Sequence, residues 1–269
     1  MSLTDSMEPD VTDLNMSVLL IEKQTPQVTV MTLNRPERRN ALTIELMTEL
    51  IAGVESAAAD DQQRVLILRG AGKAFCTGMD LNEVAESEKA HASAELVAKM
   101  LITLSETRLI TIAAVHGAAV AGGTGVMSAC DFVVAAARTK IGYPEVRRGL
   151  VPGIIMTFLR RQLRERDLRE LLFAGELFEA EHACEIGLVN SVVPRDELEN
   201  ETQKIVASIL QGAPGALSNT KRLLAKLWPT SVREDIEQAF AFHMLARESN
   251  EAAEGVAAFL EKRPPKWAE

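Results

Sequence analysis

Two glycine-bearing loops and one acid at a turn are where this chain could do chemistry. Gly72-Lys73-Ala74-Phe75-Cys76-Thr77-Gly78-Met79-Asp80-Leu81 follows an apolar run that ends at Leu68. Gly78 allows a positive φ, so the amide after it can turn into a cleft. Ala121-Gly122-Gly123 lies between an apolar run and a helical pattern, which leaves its amides as unpaired donors at the positive end of a helix dipole. Such donors stabilise charge developing on an oxygen, for example that of an enolate. Each loop also has a plainer reading taken alone. The first is a tight turn in which Asp80 and Glu83 form a capping box. The second is glycine for close helix–strand packing. The pattern is not GxGxxG and no P-loop lysine follows, so phosphate binding is weakly supported. Tyr143-Pro144-Glu145 supplies a carboxylate at a chain turn.

Other chemistries lack their parts. His91, His182 and His243 have no Asp or Ser at a recognisable spacing, no GxSxG elbow occurs, and no metal-ligand cluster is visible. Tyr143, the single tyrosine, could donate into a pocket or simply pack. Arg160, Arg161, Arg164, Arg166 and Arg169 read as a helix face pairing with Glu165 and Glu170.

The elements that must hold these loops follow from periodicity. Val18 to Leu33 alternates around Pro26-Gln27, a β-hairpin. Thr43 caps a helix to about Ala59, with Leu46, Leu50 and Val54 at helical spacing. Val65 to Leu68 is a buried parallel strand; Thr111 to Val115 and Phe132 to Ala135 are two more, with a helix from Gly122 to Ala129 between them. That order predicts βαβ units and a mostly parallel sheet. From Leu159 the pattern is helical, Asp196 to Gln211 is amphipathic, and Pro214 opens a helical section to about Lys262. The segment 82–99 has no shape legible from composition. The expected organisation is a flexible acidic segment over 1–17, an α/β core over 18–200 and a helical region over 201–269.

The chain has 269 residues, is 47% hydrophobic but only 4% aromatic, and carries a net charge of −9. The core is therefore expected to be aliphatic, and the acidity argues against nucleic acid as a partner. Cys76, Cys130 and Cys184, odd in number and without CxxC spacing, read as buried reduced thiols in a reducing, cytoplasmic compartment. No secretory signal is visible. Leu109 to Ala137 is long and apolar, but His116, Asp131 and four glycines argue for buried strand, turn and helix over a membrane span.

In combination, these segments resemble the enoyl-CoA hydratase/isomerase (crotonase) superfamily. The motifs are 74–81, Ala113-Ala114-Val115-His116-Gly117 with Ala121-Gly122-Gly123, Cys130-Asp131, Pro144-Glu145 and Gly149-Leu150-Val151-Pro152-Gly153. Leu33-Asn34-Arg35-Pro36, Asn40-Ala41-Leu42, 180–189 and Phe259-Leu260-Glu261-Lys262-Arg263-Pro264 extend the likeness over nearly the whole chain from Val18.

The resemblance implies an α/β fold, a spiral of ββα units with a C-terminal helical trimerisation region, in homotrimers or dimers of trimers. It implies an oxyanion hole from the amides of Met79 and Gly122, holding an acyl-CoA thioester. No metal or redox cofactor is implied, coenzyme A being part of the substrate. Glu145 is the implied catalytic acid/base. Arg38, Arg39, Thr77, Asp80, Leu81, Gly123 and Lys262 are the implied substrate contacts, Lys262 reaching in from a neighbouring subunit, while His116 is structural. Two-acid hydratases of the superfamily carry a second Glu where this chain has Gly125. Adding water across a double bond divides between a base and an acid, whereas moving the bond needs one carboxylate. The expectation is thus enoyl-CoA isomerisation, with hydration or a silent acyl-CoA binder as alternatives.

Overall fold

The computed structural model describes residues 17–84 and 87–268; the expected N-terminal segment lies almost wholly outside them. The chain starts as the expected hairpin, β1 (Leu19–Thr25) antiparallel to β2 (Val28–Leu33). Thr43 then caps α1 (Ile44–Ala59), its hydroxyl accepting from the Leu46 amide. The helix buries Leu46, Met47, Leu50, Ile51 and Val54, one stripe at helical spacing. Each such leucine, fully withdrawn from water, contributes about 2 kcal/mol.

β3 (Val65–Gly70) pairs in parallel with β2. Next come α2 (Leu81–Val84), α3 (Ser87–Glu106) and β4 (Ile110–Val115), which is parallel to β3. β5 (Ala118–Val120), α4 (Gly122–Ser128), β6 (Phe132–Ala136) and β7 (Lys140–Gly142) follow. The chain then runs through a 3-10 turn at Pro144–Arg148, α5 (Gly153–Gln162), α6 (Glu165–Ala174), β8 (Leu177–Glu179), α7 (Ala180–Glu185) and β9 (Ser191–Val193). Helices α8 (Leu198–Leu210), α9 (Pro214–Lys226), α10 (Val232–Arg247) and α11 (Asn250–Glu261) complete it.

Six strands form the main sheet in the order β1-β2-β3-β4-β6-β9, and β5-β7-β8 form a second, smaller one. Every pairing in the main sheet except the opening hairpin is parallel, as the βαβ reading requires. One face packs on α1, α3, α4 and α5; on the other, Val28, Val65 and Ile112 meet Leu198, Val206 and Ile209 of α8. Position 200 falls inside that helix, so α8 belongs to the sheet's packing rather than to a separate tail. The stretch from Leu109 to Ala137 divides into β4, β5, α4 and β6, and among the described residues no helix is long and apolar enough to cross a membrane.

Four local expectations need correcting. The second sheet was not foreseen, because three-residue strands are too short to show a period. The shapeless segment after Leu81 is mostly helix, in α2 and α3. Asp80 and Glu83 form no reciprocal capping box. Asp80 Oδ1 accepts the Asn82 amide at 3.3 Å, but Glu83 turns away to accept the Ile44 amide at 3.0 Å, filling a vacancy at the start of α1. Cys76 and Cys130 are buried, and burial pushes each thiol up to about 12, whereas Cys184 is half-buried.

Candidate active site

The two glycine loops of the sequence meet at the C-terminal edge of β3 and β5. Leu42 N–H donates to Gly78 O at 2.8 Å and Asp80 N–H to Leu42 O at 2.9 Å, so the bonds flanking residue 79 are spent on the chain beside it. Gly78 has φ +87°, and a Cβ there would stand 3.0 Å from that of Ala121 and 3.1 Å from the Gly122 nitrogen. Ala121 itself sits at φ 51°, ψ −123°, a conformation non-glycine residues avoid. Its amide donates to Gly142 O at 3.0 Å and its carbonyl accepts from the Thr124 amide at 2.9 Å, anchoring the first turn of α4. Neither Met79 N–H nor Gly122 N–H has a backbone acceptor among the described residues. A Cβ on Gly122 would lie only 3.7 Å from the Met79 nitrogen. Two free donors thus stand side by side on the wall of one cavity.

That cavity is about 510 Å³, and Glu145 faces it. Pro144 begins the 3-10 turn and Gly149, at φ 67°, ends it, which fixes Glu145 on a short rigid segment. The side chain is only 8% exposed, and Oε2 has no hydrogen-bond partner. Burial pushes its pKa from 4.5 up to about 7, against the smaller opposing pulls of its own amide and the Arg148 charge. A carboxyl that exchanges its proton near neutrality beside two free amides can move a proton next to a stabilised oxyanion.

Of the expected contacts, Arg38, Arg39, Thr77, Asp80 and Leu81 line the cavity with Met79, Gly122 and Glu145. Asp80 is already engaged, by Arg35 at 3.2 Å and Arg38 at 3.8 Å, and so organises the arginines of this loop. Gly123 does not line it, and Lys262 does not line the cavity of its own chain, consistent with an expectation that concerned a neighbouring subunit. Gly123 is buried so tightly against the first loop, where Cys76 bridges Ala119 of β5, that a Cβ would come within 2.1 Å of Cys76 O, and Lys262 is the exposed cap of α11 at φ 56°. Gly125 lies in the core of α4, where a Cβ would meet Ile155 Cγ1 at 3.0 Å and Leu101 Cδ1 at 3.4 Å. Apolar carbon therefore occupies the surroundings of that position.

Tyr143 is fully buried and outside the cavity lining; burial pushes its pKa up against the smaller opposing effect of the neighbouring Ser128 and Thr124 hydroxyls. It packs. His116 Nε2 lies 3.0 Å from Gly72 O, tying β4 to the first loop, a structural role. Glu165 pairs with Arg169 as expected, whereas Arg161 reaches across to Asp235 of α10 at 2.7 Å. No group of three or more His, Cys, Asp or Glu side chains gathers among the described residues. The sequence did not point to Ile155, Arg148, His243, Arg247 or Phe259 as cavity wall. Of these only Arg148 carried a signal, three residues beyond Glu145 on the same turn.

The sequence matches the family model described as Enoyl-CoA hydratase/isomerase over residues 23–269. It is 31% identical to the 2,3-dehydroadipyl-CoA hydratase of Escherichia coli K12, across 93% of this chain and 98% of that protein. The crystal structure of an enoyl-CoA hydratase from Mycobacterium avium superposes with a TM-score of 0.83 at 32% identity, covering 93% of this chain and 99% of the other. An enoyl-CoA hydratase/isomerase from Xanthobacter autotrophicus Py2 gives the same TM-score at 30% identity, over 91% and 94%. The fold, the paired amides and this likeness along nearly the full length agree: the chain belongs to the enoyl-CoA hydratase/isomerase family.

Proposed function

We propose that the protein is an acyl-CoA enzyme that moves a carbon–carbon double bond, with Glu145 as its single acid/base. The observation that carries this is that Glu145 is, among the described residues, the one buried acid of the cavity with an unpartnered oxygen, while Ile155 and Leu101 crowd Gly125, where a second acid would stand. The thioester oxygen accepts from Met79 N–H and Gly122 N–H. Glu145, ionised, takes a proton from C2 of a 3-enoyl thioester. The electron pair delocalises onto the oxygen as a dienolate, and the same carboxyl returns the proton at C4. The proton inventory closes on one group, so no water, metal or redox partner is consumed. Arg38 and Arg39 lie at the mouth as contacts for the CoA phosphates.

Hydration is the second reading, favoured by the hydratase names of relatives about 31% identical. It requires Glu145 alone to activate water and deliver the proton. The test is to incubate the protein with 2-enoyl-CoA and 3-enoyl-CoA and to follow absorbance and product mass. An isobaric shift supports isomerisation, a gain of one water supports hydration, and binding without change supports a silent acyl-CoA binder.

Assembly as a homotrimer or a dimer of trimers belongs to the same proposal. Its support is the apolar surface that α9 and α10 leave in water, Leu223, Leu224, Leu227, Phe242 and Leu245 being 56–72% exposed. The buried free thiols of Cys76 and Cys130 support a reducing, cytoplasmic setting.

A further inference from the structure

Arg148 is a partly buried cation outside every ion pair of the described residues. Among the described residues its guanidinium makes no ion pair and no hydrogen bond, and its Nε is buried without a partner. It lies over the Phe259 ring of α11, whose centroid is 4.2 Å from the guanidinium carbon. Burial pushes its pKa down. Withdrawing a lone charge from water is costly, and stacking on an aromatic face recovers only part of that cost. Glu145, the acid nearest in sequence, relieves it only in part, its charge opposing a larger effect of burial. The two are not within ion-pair distance, and Glu145 holds its proton up to about pH 7. A half-buried arginine in this condition is arranged to meet an anion from outside the chain.

Its position says which end of the ligand carries that anion. Residues three apart on a 3-10 turn project from the same face, so Arg148 opens onto the cavity beside Glu145. If Glu145 works on the carbons next to the thioester, a group sharing its face lies along the acyl chain. The phosphates of coenzyme A stand a whole pantetheine arm away, and Arg38 and Arg39 occupy the separate loop beside Thr77 and Asp80. Ile154, Ile155 and Val97 supply apolar wall for the methylenes between the reacting carbons and a terminal charge.

We propose that the acyl group received by this cavity carries a carboxylate, and that Arg148, braced on Phe259, selects it. The substrate class is then the mono-CoA thioester of an unsaturated dicarboxylic acid. This deepens the functional proposal above and rests on its placement of the thioester at Met79 and Gly122.

Glutaryl-CoA and valeryl-CoA test it. Both carry five-carbon saturated acyl groups and cannot be turned over, and only the first ends in a carboxylate. Isothermal titration of the wild type is expected to give at least tenfold tighter binding of glutaryl-CoA, the ratio one charge-assisted hydrogen bond supports. Arg148→Met keeps the apolar stem and removes the charge; it is expected to bring that ratio to about one while free coenzyme A binds within about twofold of wild type. Arg148→Lys, retaining charge without the planar stack, is expected to fall between. The proposal is overturned by a wild type without preference, by a preference that survives Arg148→Met, or by a variant that loses both thioesters and free coenzyme A alike, which would assign the charge to the phosphates. Binding is read without turnover, so an absence of isomerisation refutes the proposed reaction and leaves this result standing.

Discussion

Replacing Glu145 by Gln is expected to abolish turnover and at the same time to stabilise the protein, but only at neutral and alkaline pH. The folded carboxyl holds its proton to about pH 7, the unfolded one only to 4.5. Between those values the native state binds more protons than the denatured state, so stability falls as pH rises through the window. Above pH 7 the full penalty of ionising a buried, unpartnered carboxylate is present. A separation of about 2.5 units at 1.36 kcal/mol each makes it about 3 kcal/mol. Gln cannot ionise and escapes this penalty, but it puts a buried NH₂ where Oε2 has no hydrogen-bond partner, and an unsatisfied donor there costs about 1 kcal/mol. The net gain is about 2 kcal/mol at pH 8 and none at pH 4.5. For a chain of this size that raises the melting temperature by about 5 °C. Thermal unfolding of wild type and Glu145→Gln at pH 8 and pH 5 reads the difference, and turnover is expected to fall at least 100-fold with acyl-CoA binding retained. A variant no more stable than wild type at pH 8, or equally favoured at both pH values, would refute the burial cost assigned to Glu145. Unchanged turnover would refute its role.

Three further outcomes are expected. Gly123→Ala puts a methyl 2.1 Å from the Cys76 carbonyl, so it should displace the loop that carries Met79 and cost about 3 kcal/mol in chemical denaturation, with activity lost alongside; wild-type stability would contradict the packing described. Gly125→Glu should not gain hydration, because the new side chain meets Ile155 and Leu101; pairing it with Ile155→Ala makes room, and any water-adduct activity should need both changes. Phe242→Glu with Leu245→Glu should shift the species seen by light scattering from three or six chain masses to one, without changing the circular dichroism of the helices.

How much was legible in advance varies from element to element. The hairpin around Pro26-Gln27, the helix capped by Thr43 and the parallel run at Val65 all carry their period or cap within a dozen residues, so local pattern was enough. The strands β5, β7 and β8 have three residues each and exist because β7 pairs with β5 across 22 positions of chain and with β8 across 35 to 39. Nothing local marks them. Glu83 shows the same limit at one side chain: its spacing from Asp80 fits a capping box, but the vacant amide of Ile44 competes for it from a distant element.

The residue types and their spacing determined the family-like loops, the free-donor amides after Gly78 and Ala121, and the presence of one acid at 145 with glycine at 125. Whether those amides stand together, and whether that acid is dry enough to hold a proton near neutrality, depended on groups brought in from elsewhere. Leu42 fixes residue 79, Ile155 and Leu101 close the space over Gly125, and Arg148 finds its brace in Phe259, more than a hundred residues later. Backbone donors and turns are local consequences of sequence. Desolvation and unpaired charge are properties of what surrounds a group, and only the folded chain supplies those surroundings.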